Sequence, residues 1–334
     1  MTSKNTVSVI GDGSWGTTLA VHLALNNYPV RLWGPFPQYV RQMKRNRYNS
    51  KFLPGVRLPK LIEPCEDLRD TLDYCHIMVF AVPSKYALSV LKQIKKTRVD
   101  FKQKLIISVT KGFEHESLLR MSQLIERELQ RNNIAVLSGP TIASEVARKI
   151  PSSAVVACKH MSTAKHLQAI FHSEWFRVYT NSDVIGVELG GSLKNVIAVA
   201  CGLCDGLGYG SNTKAAILTR GLAEISRLGK AMGARAKTFS GLTGLGDLVT
   251  TCVSPASRNR TVGELLGEGK PIEKILKSMD MVAEGVETAK SVYKLSRQYE
   301  VEMPISEEVY NILYKGKKPA DAVAELMTRK SKSE

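Results

Sequence analysis

The chain opens on a glycine-rich turn set between a strand and a helix-forming segment. Val7-Ser8-Val9-Ile10 runs into Gly11-Asp12-Gly13-Ser14-Trp15-Gly16, and Thr17-Thr18-Leu19-Ala20 follows. Each glycine of this G-x-G-x-x-G has its own physical use. Gly11 allows a tight turn, Gly13 lets backbone approach a pyrophosphate, and Gly16 lets the helix pack on the strand. The helix start adds unpaired N–H groups and the positive end of a dipole. A purely structural glycine turn shares the motif, so the strand before it and the helix after it carry the dinucleotide reading.

The second strand, Val30-Arg31-Leu32-Trp33, ends in Gly34-Pro35-Phe36-Pro37. The usual fingerprint places an Asp or Glu there to grip the ribose 2′-hydroxyl of NAD. This chain has no acid at that point and no base for a 2′-phosphate. The choice between NAD and NADP is therefore open at this stage.

Further along, Gln38 to Asn49 reads as a polar helix, and an irregular segment with Pro54, Pro59 and Pro64 follows. Apolar strands are expected at 76–82, 105–110, 134–138, 154–158 and 177–179. Helices are expected behind Ser84 and over 117–132. Such alternation predicts a mostly parallel sheet covered on both faces. The pattern changes near Asn181. Val184 to Leu203 is apolar with few breaks, the mark of a helix buried nearly all round. Helical runs follow at 215–232, 260–266, 283–299, 306–314 and 319–326. The expected fold is an α/β N-terminal Rossmann domain (doubly wound, mostly parallel sheet) over 1–181, followed by an all-α C-terminal domain over 182–334.

Charge is uneven along the chain. There are 26 basic and 13 acidic residues through Asn181, against 21 and 18 beyond it. The excess is either a solvated basic surface or a field that attracts an anionic cofactor and substrate. No nucleic-acid-binding motif accompanies it, so a nucleic-acid partner is not expected. Cys201-Gly202-Leu203-Cys204 lacks the second ligand pair of a zinc site, and buried free thiols in a reducing, cytoplasmic compartment are the better reading. No metal is expected, since the six histidines are scattered through the first domain without ligand spacing. No run reads as a transmembrane helix, so no membrane insertion is expected. Residues 1–5 leave no room for a signal peptide, and residues 330–334 match no targeting signal.

Ligands of doubly wound sheets sit beyond the carboxyl ends of the strands. Lys111 emerges there in Val109-Thr110-Lys111-Gly112, as do Gly139 and Thr141 in Leu137-Ser138-Gly139-Pro140-Thr141. Lys194 lies inside the apolar helix, in Gly190-Gly191-Ser192-Leu193-Lys194-Asn195. A buried lysine is costly unless it is paired or working. Gly190, on the same helical face, is expected to leave room for a small substrate. Burial and basic neighbours would lower the lysine pKa and suit it to general base catalysis. The competing reading is a lysine whose head reaches the surface. Gly241-Leu242-Thr243-Gly244-Leu245-Gly246-Asp247 reads as a loop too flexible for core helix. Its Asp247 could orient Lys194 or accept a substrate hydroxyl. Ser257-Arg258-Asn259-Arg260 is either a phosphate site at a helix start or an ordinary basic capped end.

Together these segments closely resemble the bacterial-type NAD(P)-dependent glycerol-3-phosphate dehydrogenases over nearly the whole chain. The resemblance rests on G-D-G-S-W-G-T-T-L-A, T-K-G, S-G-P-T-I-A-S-E, G-V-E-L-G-G-S-L-K-N-V-I-A, T-R-G-L-A-E, G-L-T-G-L-G-D-L-V-T-T-C, S-R-N-R and V-A-E-G. It implies that Ser14 and Trp15 touch the dinucleotide beside Gly11, Gly13 and Gly16. Lys111 would contact cofactor and substrate, Gly139 and Thr141 the substrate, and Ala143 the cofactor. Lys194 matches the family's proton acceptor. Asp247, Ser257, Arg258 and Asn259 would hold glycerol phosphate, with Arg258 also near the cofactor. Val282 and Glu284 match cofactor contacts from the helical domain. Many members carry His or Arg where this chain has Pro35, which bears on the strength of NADP binding.

The implied reaction interconverts dihydroxyacetone phosphate and sn-glycerol 3-phosphate with NAD or NADP, for phospholipid synthesis, in a homodimer. Two other readings are a related dehydrogenase acting on another hydroxy acid or sugar phosphate, and a basic NAD-binding regulator without turnover.

Overall fold

The computed structural model describes residues 6–279 and 282–331. The readings of both termini rest partly on residues 1–5 and 332–334, outside the described ones. The chain divides into two compact units, one ending at Glu188 and the other beginning at Leu189.

In the first unit the elements follow in the order β1 (Val7–Ile10), α1 (Ser14–Leu25), β2 (Val30–Trp33), α2 (Pro37–Asn46), β3 (Ile62–Cys65), α3 (Leu68–Tyr74), β4 (Ile77–Phe80), α4 (Ser84–Lys96), β5 (Leu105–Ser108), α5 (Met121–Leu129), β6 (Ala135–Ser138), α6 (Ala143–Ala147), β7 (Ser152–Ala157), α7 (Met161–Phe171) and β8 (Phe176–Asn181). The strands form one sheet in the order β3-β2-β1-β4-β5-β6-β7-β8. All neighbours are parallel except β6 and β7. The order reverses direction between β1 and β4, the switch point where such sheets bind ligands.

Alternating side chains bury both faces. Val9 and Val79 pair in register and enter one apolar cluster with Leu19, Leu23 and Phe176. Ile10 and Phe80, one residue on, enter the other with Leu91 and Leu124. This is why the strands read as continuous apolar runs.

Two expectations need correction here. The proline-rich segment is not irregular throughout, because Ile62–Cys65 is the edge strand β3, with Pro64 opposite Leu32. An edge strand tolerates a proline that a central one does not. The helix expected over 117–132 is only Met121–Leu129. Left-handed backbone at Leu118 (φ 57°) and Gln130 (φ 53°) bounds it on both sides.

α8 (Val184–Gly206) carries the unit boundary within it. The second unit continues with α9 (Ser211–Ala231), α10 (Ala236–Phe239), a π-helical turn (Leu242–Gly246), α11 (Asp247–Val253), α12 (Arg258–Gly267), α13 (Ile272–Lys277), α14 (Glu284–Gln298), α15 (Pro304–Lys315) and α16 (Pro319–Met327). Contrary to the sequence reading, α8 is long and apolar enough to cross a membrane, but nearly all of it is buried in protein. Small residues let α12 lie directly on it. A Cβ on Gly202 would come 1.9 Å from the Arg260 carbonyl oxygen, and one on Gly263 would come 2.0 Å from that of Val199.

Candidate active site

The glycine turn divides its work between packing and openness. Gly11 has φ 116°, and a Cβ there would lie 2.7 Å from the Ala81 carbonyl oxygen. A Cβ on Gly16 would lie 2.0 Å from the Gly11 carbonyl oxygen. Around a Cβ on Gly13 no atom of the described residues lies within 4 Å. α1 starts at Ser14 with no side-chain cap and no acid in its first turn. Its first N–H groups and positive dipole end therefore suit a pyrophosphate, and the open face at Gly13 gives it access. Trp15 is half-buried and packs against the core of this unit.

Sequence reasoning passed over Asp12. It is 4% exposed, and among the described residues its Oδ2 has no hydrogen-bond partner. Burial pushes its carboxyl up to about 6. A Cβ on Gly34, just beyond β2, would lie 2.2 Å from that Oδ2.

Beyond β5 and β6 the residues converge on one carbonyl. Lys111 Nζ donates to the Gly139 oxygen at 3.1 Å, and Thr141 Oγ1 donates to the same oxygen at 3.2 Å. Gly139 has φ 147°, and a Cβ there would press on Ala154 and Ser153 at 3.0 Å. Lys111, Gly139 and Thr141 are thus brought together within the first unit. Ala143 opens α6, and its carbonyl accepts from Thr18 Oγ1 of α1 at 3.2 Å.

In the second unit Lys194 is buried, 5% exposed, rather than reaching the surface. Its Nζ donates to Asp247 Oδ1 at 2.5 Å and to Thr251 Oγ1. Thr251 Oγ1 donates in turn to the Asp247 carbonyl at 2.7 Å. Asp247 is 1% exposed. An acid and a hydroxyl are thus among the neighbours of the ammonium. Thr251 was legible only as the residue one helical turn beyond Asp247.

The glycine-rich segment before Asp247 is not a loose loop. It closes a π-helical turn, with Gly246 N donating to Gly241 O at 3.2 Å, and leads straight into α11. The role expected for Gly190 also changes. A Cβ there would lie 2.4 Å from the Thr243 carbonyl oxygen. Its missing side chain admits this turn against α8, not a substrate.

Ser257 is the N-cap of α12 and accepts from Arg260 N at 3.3 Å. Asn259 is buried; its Nδ2 donates to Asn195 Oδ1 and its Oδ1 accepts from Gly285 N, both at 2.9 Å. It thereby ties α8, α12 and the start of α14 together. Arg258 donates from Nη1 to the Val282 carbonyl at 2.6 Å. Arg258 keeps an exposed surface; partial desolvation by the surrounding chain lowers its pKa from the ordinary value, and Glu284, the first residue of α14, opposes the shift. Ser257, Arg258, Asn259, Val282 and Glu284 are therefore neighbours in the fold, although Glu284 is remote from Arg258 in sequence.

Comparison with known proteins sets the family. Residues 6–164 match the family model described as NAD-dependent glycerol-3-phosphate dehydrogenase N-terminus, and residues 183–324 match the C-terminus model. Glycerol-3-phosphate dehydrogenase [NAD(P)+] of Geobacillus kaustophilus is 47% identical over 98% of this chain and 96% of its own length. The protein of that name from Fusobacterium nucleatum is 47% identical over 98% of both chains. The crystal structure of glycerol-3-phosphate dehydrogenase from Coxiella burnetii superposes with a TM-score of 0.94 at 37% identity, covering 98% of this chain and 99% of that one. These matches run the full length of both units, and the chain belongs to the NAD-dependent glycerol-3-phosphate dehydrogenase family.

Proposed function

We propose that the chain interconverts dihydroxyacetone phosphate and sn-glycerol 3-phosphate with NAD or NADP as redox partner. The observation that carries this reading is the buried Lys194–Asp247–Thr251 cluster, in a chain whose family is set by full-length relatives. Bound reduced nicotinamide supplies the hydride to C2 of the substrate. Lys194 donates a proton to the C2 oxygen as negative charge develops there, and takes it back in the oxidative direction. Asp247 holds the ammonium in place and receives the substrate hydroxyl. Arg258 supplies charge to the phosphate, with Ser257 and Asn259 beside it at the start of α12. Lys111, Gly139 and Thr141 complete the substrate contacts.

On the cofactor side, Gly11, Gly13, Ser14, Trp15 and Gly16 take the pyrophosphate. Lys111, Ala143, Arg258, Val282 and Glu284 contribute further contacts. The product feeds phospholipid synthesis, and the protein acts as a cytoplasmic homodimer without nucleic-acid or membrane partners. A domain boundary at 181/182, at the end of β8, is the segmentation this reading uses.

A steady-state assay tests the substrate assignment. NADH and NADPH oxidation are followed with dihydroxyacetone phosphate, and with a hydroxy-acid-forming keto acid or another sugar phosphate in its place. Turnover confined to dihydroxyacetone phosphate is expected. Preference for one of the other substrates would overturn the reading.

A further inference from the structure

β1 and β2 lie side by side with Ile10 opposite Trp33. Residues just beyond the two strands therefore emerge together. Gly34 occupies the place where the fingerprint acid of β2 would stand. The Asp12 carboxyl lies over that strand end, so close that a Cβ on Gly34 would meet its Oδ2 at 2.2 Å and its Oδ1 at 2.9 Å. The main chain beneath it is fixed, since Asn49 Nδ2 and Thr17 Oγ1 donate to the Asp12 carbonyl at 2.7 and 3.0 Å. Yet Oδ2, in a residue only 4% exposed, is an acceptor with no donor among the described residues. Buried acceptors are normally satisfied, and one left over asks for a partner. Gly13, the next residue along the turn, has no described atom within 4 Å of its Cβ position, so the backbone beside Asp12 is open.

We propose that Asp12 replaces the missing acid of β2, accepts a hydrogen bond from the adenosine ribose 2′-hydroxyl, and makes this chain select NAD over NADP. A 2′-phosphate would put like charge against a buried carboxylate and remove the donor it needs. Although burial raises its pKa to about 6, the group is ionised at pH 8. Lys51 acts on this carboxyl but lies exposed at the surface. The selectivity also explains Gly34, because any side chain there would displace Asp12. The inference rests on the dinucleotide reading of the glycine turn.

The test measures Kd for NADH and NADPH at pH 8 by fluorescence titration, on wild type, Asp12→Asn and Gly34→Ala, with thermal unfolding as a check on folding. Wild type should bind NADH about tenfold or more tighter than NADPH. Asp12→Asn removes the charge, and Gly34→Ala displaces the carboxyl while leaving residue 12 unchanged. Either should reduce the NADPH-to-NADH ratio of Kd about tenfold. A general loosening of the turn would weaken both cofactors equally and leave the ratio alone, which overturns the proposal. So does a wild type that binds both equally. Wild type that binds neither cofactor contradicts the dinucleotide reading itself, a failure distinct from loss of selectivity.

Discussion

The Lys194 ammonium and the Asp247 carboxylate meet at 2.5 Å in a setting that exposes only 7% and 2% of their side chains. Removing one partner strands the other charge, which typically destabilises by about 3–5 kcal/mol. Asp247→Ala should therefore lower the unfolding free energy by several times more than a surface substitution. Lys194→Met with Asp247→Leu should recover much of that loss, yet remain inactive. Urea unfolding of the singles and the double gives the coupling directly. Additive losses would show that the pair is not energetically linked.

His22 sets an acid limb on stability. Its Nε2–H donates to the Phe171 carbonyl at 2.7 Å, and its ring packs edge-on against Phe176. Burial lowers its pKa from 6.5 to about 4. Between those values the unfolded chain binds the extra proton, so stability is complete above pH 6.5 and falls as pH drops toward 4. The shift corresponds to roughly 3 kcal/mol. Melting temperature measured from pH 7.5 to 4.5 should decline less steeply in His22→Gln than in wild type. Parallel declines would assign the limb to other groups.

Glu224 caps a helix from outside it. From α9 its carboxylate accepts from Ile305 N at 2.6 Å, Ser306 N at 3.1 Å and Ser306 Oγ at 2.9 Å, at the start of α15. It is 1% exposed, and burial raises its pKa. Glu224→Ala leaves these donors unmet in the interior and should cost about 2–4 kcal/mol. Amide exchange at the start of α15 would accelerate in the variant. Unchanged protection there would refute the capping role.

Gly263 sets the spacing of α12 on α8. A Cβ there falls 2.0 Å from backbone oxygen, which cannot swing away as a side-chain tip can. Gly263→Ala should destabilise by about 1–3 kcal/mol or more, the usual range for overpacking. Chemical denaturation checks this against Gly269→Ala. Gly269 has open space around it but left-handed backbone at φ 85°, so that control reports backbone strain alone. Equal losses in the two variants would exclude a packing clash.

The parts of this molecule that repeat a period were readable before any coordinates. Val7–Ile10, Ile77–Phe80 and Leu105–Ser108 are apolar at every position but Ser8 and Ser108 because both faces are covered. The glycine turn was equally plain, since its context separates it from ordinary turns. Where a residue works through tertiary contact, pattern was silent. Pro64 reads as a breaker until its strand is known to lie at an edge. Asp247 could be named from sequence as a partner of Lys194, and it is one, but only the fold shows that Thr243 fills the space beside Gly190. Asp12 stands between two glycines of the motif, and nothing local reveals that β2 ends beside it.

The proposed role of Lys194 as the proton-transfer group is open to a direct test. Turnover of dihydroxyacetone phosphate and the Kd for reduced cofactor, measured on wild type and Lys194→Ala, separate chemistry from binding. The variant should lose at least about a hundredfold in turnover while its cofactor Kd stays near that of wild type. Turnover close to wild type in Lys194→Ala would contradict it.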